Sequence, residues 1–277
     1  MPSVLITKST GEREPFNAGK LKNSLVRSGA TIEQAMEITA HVEDELIEGM
    51  TTNDIYRHAF DLLKNAPRHI AVRYSMRRAL AELGPNGFPF EKYVAELFKS
   101  KGYEAVTDQI VQGACVEHEI DVVAWKGSEL VMVEAKFHNE PGLKSDLKVA
   151  LYVKARFDDL KGRTFSYGGK ERMLTTFMLI TNTKFTDHAI RYAACQKLSL
   201  VGWDYPENDS LEDWIEKAHL HPLTAIPSLS AVDKRALLDK GLVLCKHVEA
   251  EGDKLSSFGI DKSRIPGIIE DARRICP

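Results

Sequence analysis

The sequence has no apolar run of membrane-spanning length, and its N-terminus lacks a signal-peptide pattern. Cysteine is scarce: Cys115, Cys195, Cys245 and Cys276 stand far apart, with neither CxxC nor Cys/His spacing. That scatter argues against a zinc site or a disulfide framework and favours buried thiols in a reducing cytoplasm. Walker A and Walker B patterns are missing, so P-loop hydrolysis of ATP is not expected. An excess of one charge is missing too. The 37 Lys and Arg against 40 Asp and Glu leave a net charge of −3, so any nucleic-acid surface must be local. What is present fits a globular chain of two or three domains without a membrane partner: 277 residues, 43% hydrophobic and 28% charged.

The densest chemistry lies in two strand-like stretches, Glu119-Ile120-Asp121-Val122-Val123-Ala124-Trp125 and Leu130-Val131-Met132-Val133-Glu134-Ala135-Lys136-Phe137. Between them, Lys126-Gly127-Ser128-Glu129 reads as a hairpin turn. A two-residue loop at Gly127-Ser128 pairs Lys126 with Glu129, and the same register sets Asp121 opposite Glu134. Alternation puts Lys136 and His138 on the Glu134 face, and Glu119 on the Asp121 face. Two facing carboxylates repel each other and contribute nothing to folding. A divalent cation between them removes the repulsion and leaves positions open for water and phosphate. Hard oxygen ligands of this kind favour Mg²⁺ or Mn²⁺.

Asp121-x(12)-Glu134-x-Lys136 resembles the PD-(D/E)xK nucleases of the restriction-endonuclease-like superfamily. The segment from Gly87-Phe88-Pro89-Phe90-Glu91 to Gly102-Tyr103 resembles the first helix of Mrr-type enzymes and archaeal junction resolvases. Met178-Leu179-Ile180-Thr181-Asn182-Thr183-Lys184-Phe185-Thr186, with Ala189, resembles the Mrr strand and helix beyond the catalytic strands. The resemblance implies a metal-dependent DNA endonuclease with Asp121 and Glu134 on the metal and Glu91 as a further carboxylate. Glu96 is a rival for that last place, and a solvated helix face accounts for either. Lys136 would orient or deprotonate a water, or neutralise developing charge. On the helix around Leu147–Val153, Lys144, Lys148, Lys154 and Arg156 either track a DNA backbone or form a solvated basic face. The resemblance favours Lys154 among them, and His138 is a further candidate for DNA contact.

At the N-terminus, Val4-x-x-Thr7-Lys8-x-x-Gly11, Glu14-x-Phe16-Asn17-x-x-Lys20-Leu21, Gly49-Met50-Thr51-Thr52-Asn53-Asp54-Ile55-Tyr56 and Ala71-Val72-Arg73-Tyr74-Ser75 together resemble the ATP-cone. Lys8 and Lys20 near a glycine turn suit a triphosphate, and Thr52 at a helix start adds donors. The resemblance implies that Lys8, Glu14, Asn17, Lys20, Thr52, Ile55 and Tyr56 contact ATP or dATP as a regulatory ligand. Ser9 stands where the family usually has a basic residue, and Tyr56 where His is common. Helical patterns are expected over roughly 18–29, 31–48, 52–65 and 68–82, after a short strand at Val4–Lys8.

Gly84-Pro85-Asn86-Gly87 is the strongest break. The expected organisation is therefore multi-domain: a mainly helical ATP-cone (1–85), an α/β restriction-endonuclease-like core with a mixed sheet (86–217) and a small all-α domain (218–277). In the last, Lys262 and Arg264 stand where the second helix of a weakly helix-hairpin-helix-like unit would begin and contact DNA phosphate, and a helical cap over the nuclease domain or a dimer contact is the preferred reading. The expected function is nucleotide-regulated DNA cleavage in restriction or defence by a homo-oligomer. The alternatives are an inactive nuclease fold serving as a nucleotide-sensing DNA-binding regulator, or a repair or junction-resolving nuclease.

Overall fold

Contacts divide the chain into two compact units, the division falling after Arg77, within a helix. The computed structural model describes residues 4–8, 12–63, 68–140 and 142–275. The expected turn at Ser9-Thr10-Gly11 lies outside them.

In the first unit, β1 (Leu5–Thr7) pairs antiparallel with β2 (Arg13–Pro15). Four helices follow: α1 (Ala18–Arg27), α2 (Ile32–Asp44), α3 (Thr52–Leu63) and α4 (Arg68–Ala81). Asn17 opens α1 by accepting from the Lys20 amide, and Thr31 with Gln34 closes a capping box on α2. Ala35, Ile38 and Val42 recur at helical spacing and bury one face of α2. This helix stops at Asp44, short of the pattern's end, and its exit runs through Gly49 at φ 82. Ile6, Leu21, Leu25, Ile55 and Leu63 complete this unit's core.

The second unit begins its α/β part with α5 (Phe88–Ser100), whose Pro89 sits in the first turn, where a missing N–H costs nothing. Strands β3 (Glu104–Gln112), β4 (Glu117–Lys126) and β5 (Glu129–Lys136) form an antiparallel meander. After β6 (Lys144–Ser145) come α6 (Leu147–Leu160) and the small hairpin of β7 (Thr164–Tyr167) and β8 (Lys170–Met173). Then follow β9 (Thr176–Thr181), β10 (Lys184–Phe185), α7 (Asp187–Gln196), β11 (Ser199–Val201) and α8 (Leu211–Ala218). The main sheet has the order β11-β9-β5-β4-β3, with β5, β9 and β11 parallel, so it is mixed. Leu130 to Val133 are all buried, as in a central strand covered on both faces.

The C-terminal part is helical: α9 (Ala231–Asp239), α10 (Cys245–Ala250) and α11 (Ile265–Ile275), with short 3₁₀ turns at Leu223–Ala225 and Gly252–Phe258. It packs as a cap within the second unit. Tyr93 Oη on α5 donates to the Leu220 carbonyl at 2.6 Å, and Thr224 Oγ1 donates to the Ala79 carbonyl at 2.6 Å. Cysteine chemistry departs from expectation. Cys245 is disulfide-bonded, and the free Cys115 and Cys195 are exposed rather than buried. A covalent tie suits short helices with a small core of their own.

Tyr93 is fully buried, so Tyr93→Phe leaves the Leu220 carbonyl without its donor. We expect urea unfolding of the second unit to shift by about 1–3 kcal/mol toward instability. An unchanged midpoint would show that this hydrogen bond does not hold the cap.

Candidate active site

The hairpin forms on a two-residue turn at Gly127-Ser128, with Gly127 at φ 58. The ladder runs from Lys126↔Glu129 to Val122↔Val133, and Asp121 and Glu134 come next in that register. There the side chain replaces the ladder: the Ala135 amide donates to Asp121 Oδ2 at 2.6 Å. On the other side of β4, Thr107↔Val122 is followed by Gln109↔Ile120, which leaves Asp108 and Asp121 unpaired between them. Asp108 is left-handed, at φ 56. Ile120 and Val123 enter one apolar cluster although three residues apart, so the strict alternation extended to Glu119 breaks at Asp121. Backbone strain at one residue thus frees a carboxylate from the sheet's regular pattern.

Glu134 meets the guanidinium of Arg156, which α6 buries to 7% exposure. Burial first and Asp121 second push the Glu134 carboxyl up to about 7, against the pull of Arg156 and Lys136. Glu91, on the first turn of α5, is also pushed up to about 7, by burial and then by Asp121, Asp108, Glu119 and Glu134. Asp121 is raised by burial, against the Ala135 hydrogen bond and Arg156. Burial, and then the carboxyls' mutual repulsion, therefore outweigh Arg156 and Lys136 at this site. Asp121, Glu134 and Glu91 are oxygen donors of the kind that a hard divalent cation takes, and they are the residues that could hold one here. Glu96 faces elsewhere and pairs with Lys99 at 2.8 Å.

Lys136 ends β5 opposite Thr181 of β9 and is exposed. His138 is fixed: its amide donates to Asn182 Oδ1 at 2.8 Å, and its Nε2 lies 3.0 Å from Ser145 Oγ. Burial, with Lys136 nearby, lowers its pKa. Lys154 pairs with Asp158 on its own helix, and Arg264 bonds Asp233 at 2.7 Å, before α11. Lys262 is exposed in the turn before α11. Arg156, read from the sequence as a DNA-tracking or solvent-facing cation, is instead buried against Glu134, and Asp108 was not singled out. The i+3 relation of Arg156 to the buried Val153 was the available signal for the first, and the second had none. A cleft of about 470 Å³ joins Lys92 and Lys99 of α5 to Lys240, Gly241 and His247.

In the first unit, Lys8 and Lys20 converge on Glu14, at 3.0 and 3.3 Å. Thr7 bridges to Thr51, so Lys8 sits beside the start of α3. Thr51, rather than Thr52, caps that helix: its Oγ1 accepts from the Asp54 amide at 3.1 Å. Ile55 is a core residue, 5% exposed, and the Tyr56 ring stacks on Tyr74 with centroids 4.9 Å apart. Gly11 lies outside the described residues, as do the side chains of Ala71, Val72, Arg73 and Ser75.

Family models match an ATP cone domain over residues 4–82, a restriction endonuclease domain of the Mrr type over 85–205 and the AF1548-like C-terminal domain over 221–276. An uncharacterised protein of Archaeoglobus fulgidus is 38% identical over 186 residues, which span 66% of this chain and 99% of that one. The chain belongs to the AF1548-like family. The crystal structure of AF1548, a protein of unknown function, is 36% identical with a TM-score of 0.58, covering 69% of this chain and 98% of that one. A likeness to the MspJI restriction endonuclease in complex with a 27-mer oligonucleotide is too slight to bear on function, at 11% identity and a TM-score of 0.32 over 62% of this chain and 38% of that one. This AF1548-like chain thus joins an ATP-cone to a restriction-endonuclease-like domain. Among its described residues, no helix is long and apolar enough to cross a membrane.

A carboxyl raised by folding keeps a proton that the unfolded chain has released. Its stabilisation is present below the unfolded value and is lost as pH rises through the folded one, here about 7 for Glu91 and Glu134. In chelator, the stability of Glu134→Gln relative to wild type should therefore rise as pH goes from about 5 to about 8, whatever the loss of the Arg156 pair costs at both. Parallel denaturation curves at the two pH values check this, and a pH-independent gap would contradict the assignment.

Proposed function

We propose that this chain is a Mg²⁺- or Mn²⁺-dependent DNA endonuclease of restriction or defence type, regulated by ATP or dATP at its ATP-cone. The observation that carries the reading is the gathering of Asp121, Glu134 and Glu91 at the end of the β4–β5 hairpin, with two carboxyls pushed up to about 7. Bound there, the cation supplies a Lewis acid for the phosphoryl oxygens and acidifies a water. Asp121 and Glu134 hold it. Lys136, exposed at the end of β5, orients the attacking water or offsets charge growing on the phosphate. Arg156 keeps Glu134 in place from α6. Lys92, Lys99 and Lys240, lining one cleft, give the DNA backbone cationic contacts.

At the ATP-cone, Lys8 and Lys20 receive phosphates by exchanging Glu14 for them, beside the donors at the start of α3. The nucleotide is sensed rather than consumed, since no Walker motif is present.

Asp121→Ala, Glu134→Ala and Lys136→Ala should each lower Mg²⁺-dependent cleavage of supercoiled DNA by about 10²–10⁴-fold. A folded Glu134→Ala protein that cleaves at the wild-type rate would refute the active-site reading.

ATP or dATP should raise the melting temperature by mass action, and Lys8→Ala or Lys20→Ala should remove most of that shift. Regulation further requires cleavage rate or oligomer size to change with nucleotide. Binding that changes neither would leave the ATP-cone without a regulatory role.

A further inference from the structure

The first unit carries a second cluster of ligand-bearing side chains, away from its lysines. His41 lies in the last turn of α2, Glu45 is its C-cap, and His58 lies on α3. Among the described residues, these form the one group of three His, Cys, Asp or Glu whose ligand atoms all lie within 4.8 Å of one another. His41 Nδ1 stands 3.6 Å from Glu45 Oε1, and His58 Nε2 stands 3.2 Å from Glu45 Oε2. The imidazoles meet edge-on, with centroids 5.4 Å apart, so both turn a ring nitrogen toward one carboxylate.

We propose that His41, Glu45 and His58 bind a divalent transition-metal ion of the Zn²⁺ class. Its chemistry is opposite to that of the nuclease site. Two imidazole nitrogens and one carboxylate oxygen suit Zn²⁺ or Co²⁺, whereas Mg²⁺ demands oxygen. A tetrahedral ion with bonds of about 2.0–2.1 Å needs donor separations of roughly 3.3 Å, and one donor atom from each of the three residues already lies within 4.8 Å of the others, so small side-chain rotations suffice. Three protein ligands leave a fourth position for water. An ordinary histidine–carboxylate pair explains one of these contacts. It does not explain why two helices each present an imidazole to the same carboxylate.

The ligands sit at both ends of the connection between α2 and α3. Within it, the Gly49 amide donates to the Leu5 carbonyl and the Met50 carbonyl accepts from the Thr7 amide. An ion on this trio ties the end of α2 to the body of α3 and restrains the segment that docks on β1.

The test uses the full chain, stripped of metal and kept in excess Mg²⁺ so that the oxygen site is filled. Zn²⁺ is titrated by calorimetry and Co²⁺ by visible absorption. We expect one Zn²⁺ per chain and the intense Co²⁺ bands of a four- or five-coordinate nitrogen-containing site. His41→Gln and Glu45→Gln alter exposed side chains and leave the fold intact, and each should weaken binding at least about tenfold. His58→Gln, on the other helix, should do the same. Absence of Zn²⁺ binding in excess Mg²⁺, or unchanged binding in the His41 and His58 variants, would overturn the proposal.

Discussion

The nuclease-like domain is organised around a conflict between burial and charge at the end of one hairpin. Asp121, Glu134 and Glu91 are half-buried and raise one another's pKa values, and Arg156 offers Glu134 a buried counter-charge. Every element that meets there is constrained by this. The Gly127 turn fixes the register, α5 brings Glu91 through its first turn, and α6 must hold a guanidinium inside the fold. Among the described residues the buried Arg156 Nε has no hydrogen-bond partner, so holding the guanidinium inside the fold leaves a donor unsatisfied.

Much of this was legible in the chain. A two-residue turn allows one register, and a two-residue period allows one set of facing residues, so the hairpin and its acid pair followed from local rules. The helices of the first unit followed from caps and apolar spacing for the same reason. What escaped was tertiary. Whether α6 turns Arg156 or Lys154 toward the sheet depends on how the helix is rolled against β5, and spacing alone left the choice open. Asp108 carries no mark in the sequence that sets its backbone apart, and Ile55 reads alike as a ligand wall or as core. The disulfide at Cys245 was likewise hidden, because scattered cysteines give no sign of which ones folding brings together.

The two units place cations by different means. In the first, Lys8 and Lys20 share Glu14 at a largely open surface, where ion pairs are weak and exchange readily for a phosphate. In the second, Arg156 and Glu134 are withdrawn from solvent, where breaking the pair is costly unless another cation replaces it.

The kink at Asp108 has a further effect at the rim of the sheet. β3 is an edge strand, and a long regular edge invites another chain to add to it. With Asp108 turned left-handed, its regular pairing is confined to two short stretches, Glu104–Thr107 and Gln109–Gln112. A foreign strand can follow neither far before meeting the bend. The same distortion that takes Asp121 out of the ladder thereby shortens the regular edge that β3 offers to another chain.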